Sequence, residues 1–140
     1  MTPEQIALVQ KSFAAVVPIA DQAAALFYGR LFEEDPALRP LFAHSDMAAQ
    51  GRKLMQALGF VVGSLNKPEA LMPAARDLAI RHVGYGVRPA HYGSVGAALL
   101  WTLGQGLGTA FTPAVREAWA TAYGGLAGAM IEAAYSAKAA

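Results

Sequence analysis

The chain has 140 residues, of which 55% are hydrophobic, and its eleven Lys and Arg against ten Asp and Glu give a formal net charge of +1. This length fits one compact domain over residues 1–140, and the near-neutral charge gives no electrostatic reason to expect nucleic acid or an anionic membrane as a partner. The absence of cysteine excludes disulfides, iron–sulfur clusters and thiolate metal ligands, so a bound metal must use nitrogen or oxygen.

The N-terminal residues and one long uncharged stretch bear on where the protein acts. Residues 1–10 lack the basic start, apolar run and cleavage site of a signal peptide, which predicts a cytoplasmic location. Between Arg88 and Arg116 no Lys, Arg, Asp or Glu occurs, so a membrane helix must be considered. Glycines interrupt this stretch, however, and its apolar residues form a helical stripe rather than a uniform surface. We therefore predict no membrane span.

The periodicity of the chain is helical throughout. Ala, Leu, Gln and Glu recur at three- and four-residue intervals, and no segment alternates apolar and polar residues as a half-buried strand does. Thr2 and Pro3 form an N-cap and first helical residue, which predicts a helix from there to near Pro18. The class is therefore predicted to be all-α.

Capping residues and prolines divide the rest of the chain into further helices. A second helix is predicted over 19–34, and Asp35-Pro36 begins a short helix that ends near Phe42. The remaining helices are predicted over about 45–65, from 66–69 to just before Gly84, from Pro89, and from Thr112-Pro113. The prediction is one domain of about seven helices.

Three polar side chains fall on the predicted apolar stripes of these helices. Tyr28 lies on the stripe of the second helix, Gln50 on that of the helix over 45–65, and His82 in the last turn of the next helix. Burying such groups without hydrogen or metal bonds costs about 1–3 kcal/mol each. Pattern alone leaves two alternatives open: a shared polar site, or three unrelated side chains with separate local partners.

The order of eight short segments resembles that of single-domain bacterial haemoglobins and the globin domain of flavohaemoglobins. The resemblance extends over nearly the whole chain, and the segments that carry it are FYGRLF at 27–32, PALRPLF at 36–42, QGRKLM at 50–55, RH at 81–82 with YGV at 85–87, HYGSVG at 91–96, and AW at 118–119 with AYG at 122–124. The resemblance implies a globin fold packed around a haem pocket. The implied cofactor is haem b, bound without covalent attachment.

Carried over residue by residue, the resemblance makes His82 the axial ligand of the haem iron. The other ring nitrogen of His82 is then expected to donate to the Leu78 carbonyl, which fixes the tautomer. Tyr28 and Gln50 correspond to the distal pair that donates hydrogen bonds to a bound gas, with Leu54 as an apolar wall of that pocket. The expected contacts with the cofactor are Phe42, Lys53, Leu54, His82, Val87, Tyr92 and Val95. No catalytic residue is assigned.

Two features qualify the resemblance. Flavohaemoglobin-like proteins carry a last-helix glutamate beside the proximal histidine, whereas the corresponding position here is Ala134, and Glu132 is expected to face elsewhere. Strong electron donation to the iron is therefore not expected. His44 and His91 share no ligand spacing with His82 on one helix face, and both are predicted to be surface histidines.

The function implied by the resemblance is reversible binding of O2, with CO and NO as further ligands, at ferrous iron. With an external reductase, O2 and NO could also be converted to nitrate, because the chain has no length left for a flavin domain. Two alternatives stay open: a haem-based sensor that acts through a partner protein, and a helical interaction module or membrane-associated bundle that binds no haem.

Overall fold

The computed structural model describes the backbone of residues 1–136 and the side chains of residues 1–134. Six α-helices occur among the described residues: α1 (Pro3–Val16), α2 (Ala20–Glu34), α3 (Met47–Gly63), α4 (Pro68–Gly84), α5 (His91–Leu107) and α6 (Pro113–Ile131). Short 3-10 segments lie at Val17–Ile19, Pro36–Phe42 and Gly108–Ala110, and a π-helical turn covers Glu132–Ser136. The described part of the chain contains no strand, which confirms the all-α class.

The helix boundaries follow from local chemistry. Thr2 and Gln5 form a reciprocal capping box at the start of α1, with hydrogen bonds of 3.0 and 3.1 Å. The carboxylate of Asp46 accepts from the first backbone N–H groups of α3, and the Thr112 hydroxyl caps α6. The segment Pro36–Phe42 is a 3-10 helix with Pro40 in its interior, so six α-helices are present rather than about seven.

The hydrophobic core is divided into two clusters. The main cluster joins α1, α2, α3, α5 and α6 through fifteen buried residues, among them Phe13, Phe27 and Trp119. The indole N–H of Trp119 donates to the buried Ser12 hydroxyl at 2.8 Å, and that hydroxyl donates to the Leu8 carbonyl at 2.7 Å. This connection ties α6 to α1 inside the main cluster.

The second cluster, which we call the α4 cluster, holds the helix that carries His82. Its buried members are Ala75, Ala79, Tyr92, Ala127, Met130 and Ala134. Helix α4 packs on α6 and on the π-helical turn, whereas α3 packs on α2 and α1. Consecutive helices α3 and α4 therefore belong to different halves of the core.

One continuous helical stretch, Pro3–Glu34, is long and apolar enough to cross a membrane by length and composition alone. It includes both α1 and α2, and Val9, Phe13, Phe27 and Leu31 from this stretch are buried in the main cluster. A core helix passes the same test, so this is weak evidence for a membrane span.

Candidate functional site

Tyr28 lies in the interior of α2 and is only 7% exposed. Its ring contacts Phe27, Phe32 and Phe42, with centroid distances of 5.0, 6.1 and 5.4 Å. Burial raises the pKa of its phenol above the ordinary value, and the hydrogen bond from Gln50 opposes this only in part. The phenol therefore keeps its proton throughout the neutral pH range.

Gln50 lies in the first turn of α3 and meets Tyr28 directly. Its side-chain amide donates to the Tyr28 hydroxyl oxygen at 3.3 Å. Because the oxygen of Tyr28 is the acceptor in this bond, the phenolic hydrogen remains available for another acceptor. The amide of Gln50 has a second N–H, so the pair offers two donors at one place.

The neighbouring residue, Gly51, permits this meeting of α2 and α3. A Cβ at position 51 would lie 2.9 Å from the Cβ of Ala24, which is closer than real carbon atoms approach each other. Ala24 is one turn before Tyr28 on α2, and Gly51 follows Gln50 on α3. Gly51 and Ala24, the two smallest residue types, thus set the distance between α3 and α2 where Gln50 meets Tyr28.

The Pro36–Phe42 segment places an aromatic cluster beside this pair. Phe42 contacts the rings of both Tyr28 and Phe32 edge-on, each at 5.4 Å. The guanidinium of Arg39 lies 4.9 Å from the centre of the Phe32 ring. This packing holds the segment against α2 although it has few helical hydrogen bonds of its own.

His82 is half-buried in the last turn of α4. Its Nδ1 lies 2.6 Å from the Leu78 carbonyl oxygen, and since a carbonyl only accepts, this nitrogen must carry the proton. In the neutral imidazole Nε2 is then the unprotonated nitrogen. This is the arrangement that a metal-ligating histidine requires.

The other residues predicted to contact a cofactor fall into three groups. Leu54 and Val95 are half-buried against the main cluster, and behind Leu54 that cluster leaves an apolar cavity of about 20 Å³. Val87 and Tyr92 belong to the α4 cluster, and the Val87 backbone N–H donates to the His82 carbonyl at 3.0 Å. Lys53 is exposed, one turn after Gln50.

The remaining two histidines lie apart from these groups. His44 is exposed after the 3-10 segment. His91 is half-buried, and its Nδ1 accepts from the Arg88 backbone N–H at 3.0 Å, which makes it part of the turn before α5. Among the described residues no group of three or more His, Cys, Asp or Glu is arranged to hold a metal ion.

On the His82 side, the described hydrogen-bond partner of the imidazole is a backbone carbonyl. Ala134 is 6% exposed and packs in that cluster with Tyr92, while Glu132 points to solvent. A residue that the sequence did not single out is important here: the Tyr123 hydroxyl donates to the Tyr92 carbonyl at 2.6 Å. Its ring occupies the space left by Gly96, where a Cβ would lie 2.7 Å from it. The contact between Tyr123 on α6 and Gly96 on α5 could not be predicted from the sequence, because it depends on which turns of the two helices meet.

A second contact missed from the sequence joins the two ends of the site. The Ser94 hydroxyl donates to the Asp35 carboxylate at 3.1 Å across 59 residues of sequence. Asp35 was expected to cap the following segment, but its side chain makes no capping hydrogen bond there. Asp35 nevertheless occupies the predicted N-cap position before Pro36, and its carboxylate accepts from Ser94 on α5 instead.

One flank of α3 and one flank of α4 each carry half-buried side chains. On α3, Gln50, Leu54, Ala57 and Leu58 are only half-buried, and on α4 the same holds for Leu71, Ala74, Leu78 and His82. Both flanks are mainly apolar, yet each is incompletely covered by protein. With a metal-ligating nitrogen on one flank and hydrogen-bond donors on the other, the residues present fit a metal porphyrin.

Comparisons with known proteins show the family to which the chain belongs. The family model described as Globin matches residues 25–130. The chain is 34% identical over 129 residues to a flavohemoprotein of Rhodopirellula baltica, covering 91% of this chain and 32% of that protein. It is 35% identical over 133 residues to a flavohemoprotein of Deinococcus radiodurans, covering 94% and 33% respectively. The chain thus spans about one third of the length of these relatives.

A solved structure supports the same fold. The structure of a bacterial globin from Campylobacter jejuni matches with a TM-score of 0.86 and 25% sequence identity. The match covers 99% of this chain and 100% of that one. The agreement therefore extends over the full helical arrangement.

Proposed function

The chain belongs to the globin family, and on that premise we propose that it binds haem b through His82 and uses it to bind O2 reversibly, with CO and NO as further ligands. When bound, the haem would supply an iron atom that His82 would hold and that would bind the gas molecule. The protein would supply the hydrogen bond that orients the His82 imidazole and, from Tyr28 and Gln50, two hydrogen-bond donors for the bound gas.

One observation carries this proposal: the hydrogen bond in which Gln50 donates to Tyr28. It leaves the phenolic hydrogen and one amide hydrogen available beside the half-buried flank of α3. A polar ligand with partial negative charge is stabilised by such preorganised donors, and burial strengthens the interaction. If each bond contributes about 1–2 kcal/mol, each slows gas release by roughly five- to thirtyfold.

The proximal side supports gas binding more than oxidative chemistry. The described hydrogen-bond partner of the His82 ring is the neutral Leu78 carbonyl. A carboxylate partner would give the imidazole more anionic character and make it a stronger electron donor. We therefore propose an O2-binding protein of high affinity as the primary role.

Conversion of O2 and NO to nitrate is a further activity that we propose only with an external reductase. Each turnover requires ferrous iron to be restored by an electron from outside the globin fold. The relatives named flavohemoproteins are about three times as long as the matched region. For this chain we propose a cytoplasmic protein that receives its electrons from a separate donor.

Absorption spectra of the purified protein in ferric, ferrous and CO-bound forms test the proposed function. We expect stoichiometric haem, and CO-induced changes that show an open axial position. His82→Gly should lose haem, and added imidazole should restore the spectrum by filling the space that the side chain leaves. The matched control is His44→Gly, which removes an exposed histidine and should leave the spectrum unchanged. Equal haem retention by the two variants would refute ligation by His82.

A further inference from the structure

The charged residues of this nearly neutral chain are unevenly distributed. Residues 36–94, which include α3, α4 and the connections around them, contain seven Lys and Arg but three Asp and Glu. Residues 1–35 contain two basic and five acidic residues. The region that carries Gln50 and His82 is therefore positive, while the N-terminal helices are negative.

Four of these basic residues lie on the elements that carry or adjoin the site residues, and we call them the basic rim: Arg39, Lys53, Arg81 and Arg88. All four are exposed. Within the described residues, ion pairs occur only between Arg30 and its neighbours Glu33 and Glu34, so the basic rim is not neutralised by carboxylates. The nearby Asp46 carboxylate accepts from the backbone at the start of α3.

The four residues come from elements that meet at the site. Lys53 is one turn from Gln50 on α3, and Arg81 directly precedes His82 on α4. Arg39 packs on the aromatic cluster, and Arg88 follows the turn in which a Cβ at Gly86 would lie 3.2 Å from Leu41. The 3-10 segment and the α4–α5 turn are therefore in contact, which brings two of the four charges to one side.

Apolar side chains are exposed among these charges. Leu41 is 37% and Tyr85 is 63% exposed, and the Tyr85 ring centre lies 5.9 Å from that of His82. An exposed aromatic residue within a charged rim is typical of a protein interface, since the aromatic ring supplies contact area and the charges supply orientation. The tyrosine also lies beside the histidine that we assign to the iron.

We propose that the basic rim, with Tyr85 and Leu41 at its centre, is the docking surface for a separate electron-donor flavoprotein whose own docking face is acidic. This proposal rests on the proposed function. The donor loses one electron, the ferric iron gains it and becomes ferrous, and no covalent bond forms or breaks. The propionate groups of the haem would offset part of the positive charge of the basic rim. Arg39, on the 3-10 segment, and Arg88, on the α4–α5 turn, would keep their positive charges.

The class of partner follows from the charge of the surface and from the cofactors named in the relatives. A positive surface attracts an acidic protein over a distance set by the ionic strength and raises its association rate. The flavohemoproteins, whose name combines flavin with haem, extend over about twice as many residues outside the region that this chain matches. Because the name of these relatives pairs a flavin with the haem, a flavoprotein is the class of electron donor that we propose for this surface.

Reduction of the ferric haem protein by an acidic flavodoxin, reduced beforehand and mixed anaerobically under CO, tests the docking surface. The appearance of the CO-bound spectrum reports each electron transferred. We expect the second-order rate constant to fall about tenfold or more as salt is raised from roughly 20 to 300 mM. Arg39→Glu combined with Arg88→Glu should lower it about tenfold at low salt.

The matched control uses two other exposed arginines, Arg52 on α3 and Arg76 on α4. Arg52 projects about 160° from Gln50 around the axis of α3, and Arg76 about 120° from His82 around α4. Arg52→Glu combined with Arg76→Glu makes the same change in net charge and should leave the rate constant within about twofold. Equal effects of the two double variants would overturn the proposal, since they would show a dependence on net charge alone.

Two further measurements separate this proposal from the proposed function. The ferric and CO-bound spectra of all variants should match those of the parent protein, which shows that haem binding is intact. Docking itself is measured by adding flavodoxin to the isotope-labelled protein, either with haem bound or without haem, and recording the changes in NMR chemical shifts. Shifts confined to the basic rim are expected, whereas shifts elsewhere or none at all would refute the docking surface, whatever the spectra show.

Discussion

Replacing Gly51 with alanine tests whether the close approach of α2 and α3 determines the pairing of Tyr28 with Gln50. The added Cβ would lie 2.9 Å from the Cβ of Ala24, whereas ordinary contacts lie at 3.4–4 Å. The helices must therefore separate by about 0.5–1 Å to restore normal contact. The Gln50–Tyr28 hydrogen bond is already 3.3 Å long, so this movement should break it.

Two opposing effects set the stability change. Alanine is favoured over glycine inside a helix by about 1 kcal/mol, while overpacking a close contact costs about 1–3 kcal/mol. Gly29 in the interior of α2 provides the matched control, because nothing lies within 4 Å of a Cβ built there. Gly29→Ala should stabilise the protein by up to about 1 kcal/mol, and Gly51→Ala should fall about 1–3 kcal/mol below it.

Urea unfolding of the two variants under identical conditions measures this difference, and flash photolysis of their O2 complexes measures the accompanying change in the site. O2 release should accelerate in Gly51→Ala and remain unchanged in Gly29→Ala. If both variants gain the same stability, the helices are not held at contact distance. If Gly51→Ala is destabilised while O2 release is unchanged, the hydrogen-bonded pair does not depend on that distance.

Three other perturbations test individual parts of the structure. Tyr28→Phe removes a donor with little change in volume and should speed O2 release by roughly five- to thirtyfold in flash photolysis; an unchanged rate would exclude this donor role. Because burial raises the pKa of Tyr28, its hydroxyl should donate unchanged from pH 7 to about 10. As the pH rises above the ordinary pKa of tyrosine, the phenol ionises in the unfolded chain before it does so in the folded protein. The free energy of unfolding of the parent protein should therefore fall relative to that of Tyr28→Phe, and urea unfolding at each pH measures this difference. Ser12→Ala leaves the buried Trp119 N–H without its acceptor and should cost about 1–3 kcal/mol in the free energy of unfolding; a change below about 0.3 kcal/mol would show that this bond is not stabilising.

Much of the fold was predictable from local signals. The cap at Thr2, the prolines at the starts of α4 and α6, and helical periodicity gave the element order, because these signals act within one turn of the chain. The 3-10 geometry of Pro36–Phe42 was not predicted, since its aromatic contacts with α2 decide its conformation. Tertiary packing overrode a pattern that also suits a short α-helix.

For the site, the sequence predicted which side chains point inward but not what they contact. Tyr28, Gln50 and His82 were identifiable because polar groups on apolar stripes need partners. The Asp35–Ser94 and Tyr123–Tyr92 hydrogen bonds were missed because they join helices whose relative positions no local pattern specifies. The close contact at Gly51 was missed because a glycine inside a helix has several explanations, of which only one depends on a neighbouring helix.

The separate cluster that holds α4 has a consequence for the lifetime of the protein. Helix α4 is anchored mainly by Ala75 and Ala79, and Pro73 interrupts its backbone hydrogen bonding. Small side chains bury little area, so this helix should open first and be the earliest target of proteases. Haem held by His82 would stabilise it by mass action, which would make the abundance of this globin depend on how much haem the cell produces.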